Sequence, residues 1–206
     1  LAISPLTIAI SIKENSQRLN TESSIHFVIN RSYQQSSYAH KKGAISMRYS
    51  GLIKNDITAA PGLCVSFFTQ GCPHHCPGCH NPDTWAFEGG KQFTTGTLNE
   101  IIAGLTAQGI QRDLCIMGGE PLCEDNAFLT HMVIQEVRKK VPGVKVYIWS
   151  GYVYEDLLKS TNPHVRGALE LADVLIDGPY IAAERDLTLN MRGSRNQRVI
   201  DLHKKN

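Results

Sequence analysis

The sequence predicts an α/β fold in which a parallel sheet is covered by helices. Two observations lead there. After Gly62, short apolar runs alternate with longer amphipathic ones, and Gly or Pro punctuates the changes between them. In order, "LCVSFFTQG" reads as a buried strand ending in a Gly turn, and the cysteine-rich loop follows it. "FTTGTLNEIIAGLTAQG" reads as a helix with Thr95 or Thr97 as N-cap and Gly109 as its stop. "DLCIMGGEP" is the next strand, running into a Gly-rich turn and completing a βαβ unit. A second helix over residues 126–140 carries Leu129, Val133 and Val137 at helical spacing and stops before Pro142. "VKVYIWSGY" is a strand, "HVRGALELA" a helix, "DVLIDGPY" a strand and "QRVIDL" a last short strand. No solenoid-type repeat interrupts the pattern.

The chain has 206 residues, enough for one domain with an appendage. Residues 1–46 differ in texture: "KENSQRLNTESS" and "NRSYQQSSYAHKKG" are polar stretches around one β-like run, "IHFVIN". The functional domain is expected over 47–206, from Met47 in "MRYSGLIKNDI", and 1–46 as a weakly ordered or non-native extension. A net charge of +2 with scattered Lys and Arg argues against a nucleic-acid partner or a polybasic membrane surface. The apolar opening "LAISPLTIAISI" contains Pro5 and falls short of the roughly 18 to 20 residues a membrane span needs. It also lacks a basic flank and a clear cleavage site, so a cytoplasmic protein is expected.

Six cysteines are too few for a disulfide scaffold, and three of them crowd into "GCPHHCPGCHNP" at 72, 76 and 79. Two chemistries fit. Cys72, Cys76, Cys79 and His80 make a Cys3His set for structural zinc, within a non-catalytic interaction module. Against zinc, all the thiolates lie on one short segment, and no second C-x-x-C exists to form the usual paired hairpins. Alternatively, a C-x3-C-x2-C loop wraps one face of a 4Fe-4S cubane and leaves one iron without a protein ligand, an open site of the kind that performs chemistry. Pro73, Pro77, Gly71 and Gly78 stiffen and tighten that loop. "MGGEP", residues 117–121, ends a predicted strand where α/β ligands bind, and Glu120 offers an acceptor for an amino group. Alone, a Gly-Gly turn is ordinary; one βα unit after the cysteines, it reads as the second half of one site.

Together, "GCPHHCPGCHNPDTW", "GGEPL", "WSGY", "DVLIDGPY" and "RGSRNQRVIDL" resemble the radical S-adenosylmethionine superfamily. Within it the closest likeness is to the activating proteins of anaerobic ribonucleoside-triphosphate reductases. The resemblance spans about residues 62–202. It implies an open, partial βα barrel of TIM-like type, since a full barrel takes about 250 residues. It implies that Cys72, Cys76 and Cys79 bind a 4Fe-4S cluster whose fourth iron is chelated by S-adenosylmethionine. Gly118, Gly119 and Glu120 would hold the amino end of that cofactor, with Gly78, Cys79 and His80 beside the adenosyl group. An electron from a flavodoxin-type donor would then cleave the cofactor to a 5'-deoxyadenosyl radical. That radical would take a hydrogen from a glycine of the reductase large subunit. Gly78 stands where many radical enzymes have an aromatic residue, which favours the reductase activators over the pyruvate formate-lyase activators. His80 and Arg195 depart from common family residues, but neither replaces a cluster ligand. The alternative enzyme is a small-molecule radical enzyme of deazapurine-synthase type, or another glycyl-radical activase.

Other residues have plainer readings. His74 and His75 are expected to face solvent or to tune hydrogen bonds rather than ligate. Cys64, Cys115 and Cys123 are expected in the core. Ser150, with Gly151, and Asp177 end predicted strands and are candidates for the cofactor pocket, although both "SG" and "DG" also suit simple turns. Arg192 and Arg195 either meet a partner or coat the surface.

Overall fold

The computed structural model describes residues 47–204; the expectations for residues 1–46, "IHFVIN" included, lie outside the described residues. Seven strands form one open sheet: β1 (Arg48–Asp56), β2 (Cys64–Thr69), β3 (Lys91–Gln92), β4 (Asp113–Gly118), β5 (Val146–Trp149), β6 (Val174–Asp177) and β7 (Arg198–Asp201). Their spatial order is β3-β1-β2-β4-β5-β6-β7. The central strands β2, β4, β5 and β6 run parallel. The margins are antiparallel, three pairings against three, which the sequence pattern does not announce. The connections explain the difference. The turn from Asp56 to Cys64 is too short for a parallel crossover, whereas a helix lies between each successive pair of central strands.

Those helices are α1 (Thr95–Leu105), α2 (Ala127–Lys140), the one-turn α3 (Tyr154–Leu157) and α4 (Pro163–Leu171). The N-cap of α1 is Thr94, not Thr95 or Thr97: its hydroxyl accepts from the Thr97 N–H, and Thr97 answers on the Thr94 N–H in a capping box. Helix α1 ends at Leu105, and Gly109 closes the short 3-10 turn that follows. Residue 126 caps α2, which ends at Lys140 just ahead of Pro142 as its periodicity predicts.

Each central strand is buried on both faces. Cys64, Cys115, Tyr147, Val174 and Ile176 point to one side, joined by Met117, Trp149 and Met191 and covered by Ala59 and Ala60. By strand alternation, Leu114, Ile116, Val146, Ile148 and Leu175 point to the other side. No helix residue belongs to the first cluster, so the helices take the second face. Cys64 and Cys115 are completely buried core thiols, and Cys123 is nearly so, as expected. On β1, which the sequence pattern leaves unassigned, Tyr49 stacks on Phe67 and edges Phe93. Asp56 closes the β1–β2 turn, accepting from Thr58, Ala59 and Ser66.

Candidate cluster and cofactor site

Because four neighbouring strands run parallel, their C-terminal ends share one edge, the usual place for a ligand site in an α/β sheet. There a cavity of about 260 Å³ opens, bordered by Cys72, Cys76 and Cys79 on one side and by Gly118, Gly119, Glu120, Ser150 and Gly151 on the other. Met117 and Trp149 from the inner sheet face form its apolar floor. The volume far exceeds that of a single ion and approaches the lower bound, roughly 300 Å³, of small-molecule sites.

The cysteine loop is held from both ends. Gly71 N donates to Thr84 O at 2.8 Å and Cys72 N to Trp85 O at 3.1 Å, tying its start to the turn after the last cysteine. Gln70, 2% exposed, donates its amide to Asp83 O and Ala86 O. Within the loop Cys79 N donates to Cys76 O, and Asn81 N donates to the Cys79 sulfur at 3.3 Å. Gly78 has φ of 76°, a left-handed turn that favours glycine, and it packs beside Tyr180. Cys72 is 8% exposed, and Cys76 and Cys79 are half-buried. Burial pushes the Cys72 thiol up, partly countered by the His74 and His75 N–H groups. Donors of this kind favour a thiolate, the form that ligates metal.

Gly118 and Gly119 serve the protein's own packing. A Cβ on Gly119 would stand 2.3 Å from Gly71 O, and one on Gly118 would stand 2.8 Å from the Phe68 Cα. Side chains are excluded there because the end of β4 runs against the root of the cysteine loop. Gly119 N donates to Thr69 O and Glu120 N to Gly71 O. Asn126 bridges the same junction, donating to both Gly71 O and Glu120 O at 3.0 Å.

Glu120 is 1% exposed and its carboxylate is fully engaged. Oε1 accepts from Leu122 N and Ser150 Oγ, both at 2.9 Å. Oε2 accepts from Gly151 N at 2.7 Å and meets His74 Nε2 at 2.9 Å. His74 therefore turns inward, 18% exposed, with its ring against Tyr152 and above Gly151, where a Cβ would be 2.5 Å from it. The expectation of a solvent-facing residue holds for His75 alone, which is exposed and edges Trp85. Tyr152 is pushed up to about 12 by burial and by the Glu120 charge.

Of the remaining candidates, His80 borders the cavity and is exposed. Asp177 does not border it; Gly178 does. The Asp177 carboxylate, 1% exposed, pairs with Arg198 and accepts from Tyr154 N at 2.8 Å. Sequence reading missed Gln70, Asn126 and Trp149, whose indole N–H donates to Met191 O at 2.8 Å and fixes the segment over the floor.

Three thiols around one cavity suit an iron-sulfur cluster. None of the described helices is long and apolar enough to cross a membrane. The chain matches the family model described as a 4Fe-4S single cluster domain over residues 59–200. It is 34% identical over 154 residues to the anaerobic ribonucleoside-triphosphate reductase-activating protein of Escherichia coli (strain K12), covering 74% of this chain and 97% of that protein. The protein of the same name from Enterobacteria phage T4 is 34% identical over 155 residues, covering 74% and 93%. That of Vibrio cholerae is 33% identical over 152 residues, covering 73% and 96%. The chain belongs to the family of anaerobic ribonucleoside-triphosphate reductase-activating proteins, with a 4Fe-4S single cluster domain.

Proposed function

We propose that the chain is a radical S-adenosylmethionine activase that installs a glycyl radical on the large subunit of an anaerobic ribonucleoside-triphosphate reductase. One observation carries this reading: Cys72, Cys76 and Cys79 share a cavity with the Gly118–Glu120 turn, in a chain spanning nearly all of relatives named as activators of that reductase. Cys72, Cys76 and Cys79 would hold a 4Fe-4S cluster, and the turn with Ser150 and Gly151 would border S-adenosylmethionine. The chemistry these groups supply when bound is one-electron cleavage of the sulfonium to a 5'-deoxyadenosyl radical, followed by removal of a glycine hydrogen.

The residues of the chain bind, orient and exclude water. The Glu120 carboxylate fixes Ser150, Gly151 and His74 along one wall and supplies negative charge near a cationic amino group. Met117 and Trp149 make an apolar floor that keeps water from a reactive species. The open partial βα barrel belongs to this reading, supported by the four parallel strands with helical crossovers and the site at their C-terminal edge. A flavodoxin-type electron donor and a cytoplasmic location complete it.

Anaerobic reconstitution tests the reading. Wild-type protein should bind about four irons and, once reduced, release 5'-deoxyadenosine; Cys79→Ala should lose both. Bound zinc with no cofactor cleavage would overturn it, and full cleavage by Cys79→Ala would remove Cys79 from the ligand set.

A further inference from the structure

Among the described residues, three buried side-chain polar atoms have no hydrogen-bond partner: Trp85 Nε1, Arg192 Nε and Asn196 Oδ1. Two of them belong to side chains that bond elsewhere, since Arg192 Nη1 donates to Gln197 O and Asn196 Nδ2 to Pro179 O, and neither residue borders the cavity. Trp85 differs on both counts. The indole N–H is the whole polar capacity of its side chain, and the residue lines the cavity that Cys72, Cys76 and Cys79 share. A buried donor without an acceptor is costly, so this one marks where an acceptor belongs.

The surroundings of Trp85 select the acceptor. The residue follows the short 3-10 turn Pro82–Thr84, just after the last cysteine of the loop. Its carbonyl accepts from Cys72 N at 3.1 Å, and its own main-chain N–H donates to Pro82 O, so the backbone at 85 is tied to the first cysteine. The indole meets the His75 ring edge-on, 4.8 Å between centroids, where His75 takes a left-handed φ of 48° in the middle of the loop. Main chain and ring thus both hold Trp85 against the cysteine segment. The wall of Gly118–Glu120, Ser150 and Gly151, beside which the amino end of S-adenosylmethionine is proposed to lie, borders the other side of the cavity. On the side of Trp85 the acceptors that a cluster brings are sulfurs, sulfide and thiolate alike. Three thiols and one unsatisfied N–H around one cavity are a donor set that fits a 4Fe-4S cluster.

We infer that Trp85 tunes the cluster: its indole N–H donates to a sulfur of the 4Fe-4S cluster and raises the reduction potential. Reduction adds negative charge to the cluster, and a hydrogen bond to sulfur stabilises the more negative state more strongly. The electron that begins cofactor cleavage therefore enters more readily than it would without Trp85. The inference rests on Cys72, Cys76 and Cys79 holding the cluster, as proposed above, and adds a residue that sets its potential.

A redox titration of the anaerobically reconstituted full chain, without S-adenosylmethionine, tests it by the electron paramagnetic resonance of the reduced cluster. Trp85→Phe should keep about four irons and shift the potential downward, so that the ratio of reduced to oxidised cluster at the wild-type midpoint falls at least about threefold. An unchanged or raised potential overturns the inference; if the same variant also binds S-adenosylmethionine more weakly, the N–H belongs to that cofactor instead. Should Trp85→Phe fail to hold a cluster, wild-type protein with isotopically labelled indole nitrogen decides. Pulsed electron paramagnetic resonance of its reduced cluster should show a coupling to that nitrogen, and its absence overturns the inference. The other tryptophan, Trp149, keeps its N–H on Met191 O, and the coupling should persist in Trp149→Phe. A protein that shows the shift yet makes no glycyl radical on a reductase keeps this inference and loses the activating function; one that binds zinc in place of iron loses both.

Discussion

At Glu120 four donors converge on one carboxylate buried from water: Leu122 N, Ser150 Oγ, Gly151 N and His74 Nε2. Burying a charge is costly unless its lone pairs are filled, and here they are filled by groups from three separate loops. Glu120→Gln keeps the shape but turns one acceptor oxygen into an NH2 group facing donors. It should cost about 1–3 kcal/mol in chemical denaturation, with the folded secondary structure retained; an unchanged midpoint would show that the network is not holding the wall. Legibility at this scale follows sequence separation. The cysteine trio and "GGEP" can be found because each is compact along the chain. Asn126 reaches Gly71 across 55 residues and Trp149 reaches Met191 across 42, and no local spacing marks such pairs. Asn126 looks like a helix cap, and its position does cap α2, but its side chain is spent on the junction between the two motifs. Gly118 and Gly119 were legible as a Gly-rich turn at a strand end; that their own backbone neighbours exclude a side chain became visible only in three dimensions.

Among the elements, α2 and α4 make a contact that titrates. His131 and His164 face each other with Nδ1 atoms 3.2 Å apart, so one nitrogen donates and the other must be bare. Gly167 leaves room for the His131 ring, and Phe128 edges His164. Burial holds both imidazoles below their usual value, and the His164 charge adds to this at His131, while Glu170 and Glu124 pull the other way. A depressed folded pKa means that the unfolded chain binds protons first. The stability from this pair is therefore complete above the unfolded value of about 6.5 and is lost as pH falls through it. His164→Phe should flatten the loss of thermal stability between about pH 7 and about pH 5; a variant as steep as wild type would contradict this. Helices α1, α2 and α4 were legible, α2 almost to the residue from its apolar spacing, whereas the one-turn α3 was not. The expected caps of α1, Thr95 and Thr97, lie one and three residues past the observed Thr94, because four Thr and Gly positions in "TTGT" compete and only the reciprocal bonds of Thr94 and Thr97 decide among them.

For the whole molecule, the alternation of runs after Gly62 identifies the parallel centre of the sheet, since each helical crossover requires a parallel return. The antiparallel margins are set by connection geometry. Strand β1 carries Gly51 and a charged end and shows no strong alternation, so its place beside β2 depends on the aromatic contacts of Tyr49 with Phe67 and Phe93. The resulting sheet gathers three thiols, a buried carboxylate and an apolar floor at one edge, beneath the segment that Trp149 fixes. Such a site suits a reaction begun by a buried cofactor and completed on a chain supplied by another protein. The most direct test mixes reduced, cluster-loaded protein with S-adenosylmethionine and an anaerobic ribonucleoside-triphosphate reductase large subunit, then records the electron paramagnetic resonance spectrum. The account predicts a glycyl radical doublet on the reductase that requires all three components; cofactor cleavage at a normal rate with no such radical would contradict it.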